Sequence, residues 1–385
     1  NYKKMSIPSI AMIPSGYKLN KVYSVLPTDG SGDLITARTT TATRVNSDGL
    51  IEEMATGVPR LDYTGGGCPS LLLEPASTNE ITYPLSFAND YWTKSGATIE
   101  GDASTAGADI AVNGDFVTDS DWTIANTDSN ATSNISNGYL ELVTTGVFTQ
   151  ASQDMSMVVG KTYELTYEIL SSDGGNLGLI SSNNSTRLIP SSVGVHTIYF
   201  QPNDSTFALK RYSGALDVQI DNVSVKEVSG FSAPSVDNPT DAFALKSTGT
   251  GQIQAVYSGS TGVEYTASFW IKRKTGSGGV NLRSVENTDT PITITNEWAR
   301  YSLPVTSTST SIRIGIRLDT VGDEVYIFGA QLEEQAGATS LMLPVTEGST
   351  VSRSADSFSK TGLSGHIGQT EGVLYLSYKN KTTSS

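Results

Sequence analysis

The chain has 385 residues, more than one ordinary hydrophobic core supports, so two or three domains are expected. With 39 acidic against 25 basic residues the formal net charge is -14, which opposes sequence-independent attraction to nucleic acid or to an anionic membrane surface. A single cysteine excludes an intrachain disulfide framework and every multi-thiolate metal site, and it leaves the compartment open.

From the amino end, "NYKKMSIPSIAMIPSG" is broken by prolines before a signal-peptide core forms, and no later apolar run approaches the roughly 20 residues that span a bilayer. Residues 1–40 read as an extended, proline-interrupted segment. Within it "TDGSGD" at 28–33 alternates oxygen side chains but lacks the spacing of an EF-hand loop, so it reads as a turn. Residues 41–80 end in "DYTGGGCPSLLLEP" at 62–75. A phosphate loop there would need the order GxxxxGK[ST]; the lysine is missing and a proline removes an amide. A nucleophilic Cys68 would want a histidine base, and His196 and His366, the two in the chain, fall in other predicted domains. The stretch is expected to turn on its glycines and to bury Cys68 and the leucines in an apolar seam.

Beyond residue 80 short period-2 alternation recurs between turn residues, as in "KTYELTYEIL", "VHTIYF", "VEYTASFWI", "SIRIGIRL" and "EVYIF". Charged residues are 17 %, below the ~25 % usual in soluble domains, and long amphipathic helices are nearly absent. The pattern predicts an all-β chain of sandwich or jelly-roll type. Two units resemble each other. "SFANDYWTKSG" carries Phe87 and Trp92 as "DFVTDSDWTI" carries Phe116 and Trp122. "GKTYELTYEIL" at 160–170 aligns without gaps with "GVEYTASFWIK" at 262–272, pairing Tyr163 with Tyr265, Tyr167 with Phe269 and Ile169 with Ile271. The closing runs "VQIDNVSVKE" and "VYIFGAQLEE" both change parity midway, which predicts a β-bulge at Asp-Asn and at Phe-Gly.

Both opening signatures precede either middle strand, an order that tandem repeats do not give and nesting does. The expected organisation is two jelly-roll modules, one inside the other: residues 81–106 plus 230–343 form the first and 107–229 the inserted one. Residues 1–40 and 41–80 precede them as anchor and collar, 344–364 read as a linker, and "EGVLYLSYKN" at 371–380 within 365–385 reads as the first strand of a further β domain.

No catalytic residue is singled out. Glycosidase chemistry needs only two carboxylates, but Glu52 with Glu53 and Glu333 with Glu334 are neighbours whose side chains would face opposite ways on a strand, Asp119 with Asp121 falls on a loop, and all read as a solvated acidic surface. For a metal, Asp115 and Asp221 are calcium candidates, since the first and last strands of a jelly roll lie side by side; turn capping by the same residues is the competing reading. No other cofactor is expected. Trp92, Trp122, Tyr212, Trp270 and Trp298 are the aromatic side chains that would stack on sugars. Trp92 and Trp122 recur at one place in both units and so belong in cores. Trp270 is opposite in parity to Tyr265, Ala267 and Phe269, so an exposed face with glycan contact is expected there.

The pattern "TRVN..GLIEE.A..VPRLDY..GGCPSLLLEP..TN" within residues 12–80 closely resembles the amino-terminal region of large virion proteins of tailed bacteriophages, of head-fibre or tail-fibre type, including phages of Bacteroidetes and the crAss-like group. "FANDYWTKSGATIEGDASTAG" and "YIFGAQLEEQAGATSLMLPVTEGSTVSRSAD" follow as in such proteins. Residues from "VNGDFVTDSDWTI" to "IDNVSVKEV" resemble a jelly-roll carbohydrate-binding module, and "GLSGHIGQTEGVLYLSY" is similar to the opening of a concanavalin-like lectin domain that would continue past Ser385. The resemblance implies a non-enzymatic fibre or appendage on the particle surface. Its amino terminus would hold other virion proteins of capsid or tail, its copies would form a homotrimer in which extended apolar segments gain burial around an axis, and its modules would contact host-surface polysaccharide. A carbohydrate-binding adhesin proper and a polysaccharide depolymerase tailspike are the alternatives.

Overall fold

The computed structural model describes residues 8–180, 186–284, 288–366, 373 and 375–378. Among them the chain is all-β, with two 3-10 turns and no α-helix. Eight short strands occupy the first 80 residues: β1 (Tyr17–Lys18), β2 (Lys21–Val22), β3 (Leu34–Ala37), β4 (Ala42–Val45), β5 (Ile51–Met54), β6 (Leu61–Asp62), β7 (Ser70–Leu71) and β8 (Ser77–Asn79). After β9 (Thr93–Glu100) come β10 (Thr123–Asn126), β11 (Asn134–Ser136), β12 (Tyr139–Thr144), β13 (Thr149–Asp154), β14 (Thr162–Ser172), β15 (Asn176–Ile180), β16 (Thr186–Leu188), β17 (Gly194–Phe200), β18 (Thr206–Ser213) and β19 (Leu216–Val228). Then follow β20 (Phe243–Ser258), β21 (Glu264–Thr275), β22 (Val280–Ser284), β23 (Thr288–Ile292), β24 (Ala299–Thr306), β25 (Ser311–Leu318), β26 (Glu324–Glu333), β27 (Val351–Arg353) and β28 (Ser357–Ser359).

Strands β12 to β19 form a jelly roll. Their orders are β12-β19-β14-β17 in one sheet and β13-β18-β15-β16 in the other, so first and last strands are neighbours and consecutive strands alternate between layers except for the hairpin β15-β16. β11 and β10 extend one edge of each sheet. Strands β20 to β26 repeat this topology. β20, 16 residues long, fills two positions: residues 243–246 pair with β26 and residues 251–258 with β25. The resulting orders, β20-β26-β21-β24 and β20-β25-β22-β23, match those of the other sandwich position for position. β9 runs beside both halves of β20, as β11 and β10 do beside β12 and β13.

The connection after this edge strand differs. Between β11 and β12 it is the pair Asn137 and Gly138, both at positive φ as a tight hairpin requires. Between β9 and β20 it runs from Glu100 to Phe243 and contains every strand of the other sandwich. At the crossing, Gly107 N donates to Glu227 O at 2.9 Å and Asp102 N to Ser229 O at 2.9 Å.

Each sandwich encloses its own core, and the two cores are built alike. Tyr265, Ala267, Phe269 and Ile271 point into one, and Tyr163, Leu165, Tyr167 and Ile169 into the other. The Tyr163 hydroxyl accepts from Val158 N at 3.0 Å and the Tyr265 hydroxyl from Ser260 N at 2.9 Å, in each case five residues upstream. Trp92 Nε1 donates to Tyr83 O at 2.9 Å and Trp122 Nε1 to Asn113 O at 3.1 Å, in each case nine residues upstream. Their rings tilt against Phe87 at 5.2 Å and Phe116 at 5.3 Å between centroids. A buried indole needs both an apolar body contact and a partner for its N–H, and both sandwiches supply the two in the same way. The expected bulges are present: the β14/β19 register slips across Asn222, at φ 53, and the β21/β26 register across Gly329, at φ 62.

Three expectations are corrected. Residues 344–364 are not a linker: β27 pairs with β8, and β28 with β3 as the outer strand of the sheet β1-β2-β3-β28. Cys68 is exposed, not buried. The seam keeps Leu72 inside but leaves Leu73 at the surface, since consecutive side chains of an extended segment face opposite ways. The strand expected over 371–380 falls largely outside the described residues; Val373 and Tyr375–Tyr378 are exposed and carry no strand.

Candidate functional site

Polar residues of the collar converge with residues 331–356 in a buried joint. Arg60, fully buried, donates from Nη1 to Glu74 at 2.8 Å, Thr43 O at 2.8 Å and Ser340 Oγ at 2.7 Å, and from Nη2 to Asp356. Arg38 pairs with Asp356 at 3.1 Å, and Arg353 lies 3.4 Å from Glu74 and 3.6 Å from Asp356. Three guanidiniums thus share two carboxylates. Glu74 also accepts from Ser340 N and Oγ, and Asp356 from Glu74 N, so the ion pairs are locked to backbone. Charges taken out of water are tolerated only when paired and hydrogen-bonded in this way.

Asn79, fully buried, ties the collar to the first sandwich. Its Nδ2 donates to Ala330 O and Met342 O, both at 3.1 Å, and its Oδ1 accepts from Ile81 N and Leu332 N, both at 3.1 Å. Nearby, Asn46 Oδ1 accepts from Asp48 N and Leu50 N and so shapes the β4–β5 turn, while Arg44 pairs with Glu52 across it at 2.9 Å. Ile51, on β5, exchanges hydrogen bonds at 2.8 Å with Pro234 O and Val236 N.

The candidate residues separate sharply. Asp115 and Asp221 sit where Val223 N donates to Gly114 O at 2.8 Å, so the backbone does bring the two segments together. Asp221 is engaged locally, Oδ1 accepting from Asn222 N at 2.7 Å and Oδ2 from Asn222 Nδ2 at 3.3 Å, as in turn capping. No group of three metal-ligating side chains occurs among the described residues. His196 accompanies Tyr167 in the second sandwich and His366 lies 3.2 Å from Ser31, so the structure does not bring either histidine to Cys68. Glu333 is not solvated: it is fully buried and accepts from Ser77 Oγ at 2.7 Å, Gln331 Nε2 at 2.6 Å and Thr339 N at 2.9 Å. Its neighbour Glu334 is exposed and accepts from the Tyr265 hydroxyl at 2.9 Å.

Of the five aromatic candidates, Trp92 and Trp122 are core residues at 1 % and 8 % exposure. Trp270 does face away from Tyr265 and Phe269, but that side is covered: it packs with Ile51, Phe328 and Leu341, and its buried Nε1 has no hydrogen-bond partner among the described residues. Trp298 packs against the same cluster. Parity alone showed which way Trp270 points, but not that collar residues cover it there.

Tyr212 remains, 45 % exposed on the outer face of the sheet β10-β13-β18-β15-β16. Gln150, Lys210, Gly178 and Leu188 align by register across four of its five strands, β13, β18, β15 and β16, a row about 14 Å wide at the usual strand spacing. Lys210 Nζ stands 5.3 Å above the ring of Phe148, which is 40 % exposed. Gly178 is buried, and its neighbours close over it: a methyl there would meet Tyr212 Cβ at 3.2 Å and Thr186 Cγ2 at 2.5 Å. Leu188, 52 % exposed, closes the far end. Exposed aromatic and aliphatic surfaces, with an amide and an ammonium in the same row, can stack a sugar ring and hydrogen-bond its hydroxyls. Phe148 was missed in the sequence because it precedes its strand by one residue, outside the alternating run.

No protein-family model matches the chain, and no curated protein sequence matches it. Among solved structures it is similar to the N-terminal tandem of two family 22 carbohydrate-binding modules from Paenibacillus barcinonensis Xyn10C, at 10 % identity over 60 % of this chain and 99 % of that one, with a TM-score of 0.24. It is also similar to a family 4 carbohydrate-binding module, at 18 % identity over 25 % of this chain and 72 % of that one, with a TM-score of 0.22.

Proposed function

We propose that this chain is a non-enzymatic structural protein of a tailed-bacteriophage virion, a head or tail fibre or appendage that carries two jelly-roll modules outward, with residues 107–229 inserted in the first. The observation that carries this reading is the joint: Arg60, Glu74 and Asn79, which belong to the pattern that resembles phage fibre proteins, form the buried polar clamp between the amino-terminal segments and the first sandwich. Chemistry spent on locking one segment against another suits a part that transmits position, not one that turns over a substrate. Residues 1–40 would seat on other virion proteins, and copies of the chain would assemble as a homotrimer. Gold-labelled antibody against residues 107–229, applied to purified particles, should decorate one defined position in a multiple of three copies; particles without the chain would refute the reading.

The outer face around Tyr212 and Phe148 favours a second role, host-glycan contact, as in an adhesin. Binding of host capsular polysaccharide to the intact chain should drop on Tyr212→Ala and Phe148→Ala while the thermal midpoint holds. Release of reducing ends from that polysaccharide would instead identify a depolymerase.

A further inference from the structure

Between the two sandwiches lies a cavity of about 170 Å³ where β9 of the first approaches β17 of the second. It is lined by Thr98, Ile99 and Glu100 on one side and by Arg187, Thr197, Ile198 and Tyr199 on the other. Among the described residues no strand pairing joins β9 to β17; β9 pairs with β20 and β17 with β14. The gap is therefore walled by β9 and β17, which do not pair with each other, and by Arg187 of β16.

The lining is mixed in a specific way. Glu100 brings a carboxylate, held by Lys246 at 3.3 Å. Arg187 brings a guanidinium fixed by donation from Nη1 to Tyr199 O at 2.8 Å. The Tyr199 hydroxyl is oriented by donation to Glu164 at 2.6 Å. Thr98 Oγ1 is buried and has no hydrogen-bond partner among the described residues, although a buried hydroxyl ordinarily finds one. An acceptor carboxylate, a donor guanidinium and an unsatisfied hydroxyl, with isoleucine and tyrosine surface between them, match a small molecule that bears both donors and acceptors on a compact ring. Glu100 and Arg187 are the charged side chains of the lining, one of each sign, which favours a ligand without net charge. The volume is below the roughly 300 Å³ at which drug-sized pockets begin, so a single ring fits and a chain does not.

We infer that this seam is a binding site for one neutral hexose residue, separate from the Tyr212 face and contributed jointly by the two sandwiches. Vicinal hydroxyls of the sugar would pair with Glu100 and Arg187, and a third would satisfy Thr98.

The test titrates the intact chain with methyl α-glucoside, methyl α-galactoside and methyl α-mannoside, with glucuronate as the anionic control, and follows binding by saturation-transfer NMR and calorimetry. At least one neutral glycoside should saturate. Thr98→Val, which keeps the shape and removes the hydroxyl, should weaken it about tenfold, as loss of one hydrogen bond does. Glu100→Gln should weaken it as well, and Tyr212→Ala should leave it unchanged. Thermal melts of Thr98→Val matching the parent would show that the loss is local. The inference is overturned if no neutral glycoside binds, if glucuronate binds in preference, or if binding survives Thr98→Val and disappears with Tyr212→Ala. Glycoside binding that follows Thr98 while capsular polysaccharide ignores Tyr212 would sink the glycan role of the sheet face and leave the seam site standing.

Discussion

Asn79 uses both donors and both acceptor positions of its amide, all inside the protein, and each partner is a backbone group. Asn79→Ala would strand four buried groups at once, and at ~1 kcal/mol or more for each the loss should reach about 4 kcal/mol in urea denaturation. Cys68→Ser alters only an exposed side chain and should stay within about 0.5 kcal/mol of the parent in the same measurement. Lys94 gives a pH signature. Its ammonium donates to Asn89 O at 2.7 Å and Ala88 O at 3.2 Å, and its pKa is pushed down to about 7, first by burial and then by Arg187, against the pull of Asp90. In the unfolded chain the amine keeps its proton up to about 10.5, in the folded chain only up to about 7. Between those values the unfolded state holds more protons, so stability should rise with pH across that window and level off below it. Urea midpoints measured from pH 6 to pH 10 should show this slope, and Lys94→Met should flatten it.

At the scale of elements, two bulges on equivalent strands are built with different residues. Gly329, at φ 62, has no room for a side chain: a methyl would lie 2.9 Å from Leu341 Cδ2. Gly329→Ala should therefore cost about 2 kcal/mol, from the left-handed backbone and the displaced leucine together. Asn222 holds φ 53 and donates from Nδ2 to Glu168 at 2.9 Å. Asn222→Gly trades that hydrogen bond for a relaxed backbone and should change stability by less than about 1 kcal/mol. Paired unfolding curves of the two variants check this contrast. The parity change in "VQIDNVSVKE" and "VYIFGAQLEE" revealed both bulges, because a strand whose apolar set switches sides must insert a residue to keep its core face. The segment 344–364 reads as a linker in the sequence for the opposite reason. Its short strands pair with β8 and β3 near the amino end of the chain, and three-residue runs rich in serine carry no periodicity that announces a partner that far away.

At the scale of the molecule, the two sandwiches differ chiefly in one connection. What is an Asn-Gly hairpin between β11 and β12 is, between β9 and β20, the path that holds ten other strands. Because Gly107 and Glu227 are hydrogen-bonded neighbours at 2.9 Å, joining Ala106 to Gly230 should close the first sandwich with little strain. The shortened chain should keep a cooperative thermal transition and a near-ultraviolet circular dichroism signal from Trp92, and residues 107–229 expressed alone should fold as well. Loss of both transitions would mean that the sandwiches depend on each other through their seam.

The sequence by itself determined the all-β class, the two like units, the core tryptophans and the bulges. Each of these follows from local alternation, which the two-residue period of a strand writes directly into the order of apolar side chains. Only the tertiary structure decided that Trp270 is covered, that Glu333 is buried, that Cys68 is exposed and that Phe148 joins Tyr212 on one face. Alternation tells which side of a sheet a residue takes, whereas what covers that side comes from segments hundreds of residues away, brought there by ion pairs such as Arg60 with Asp356.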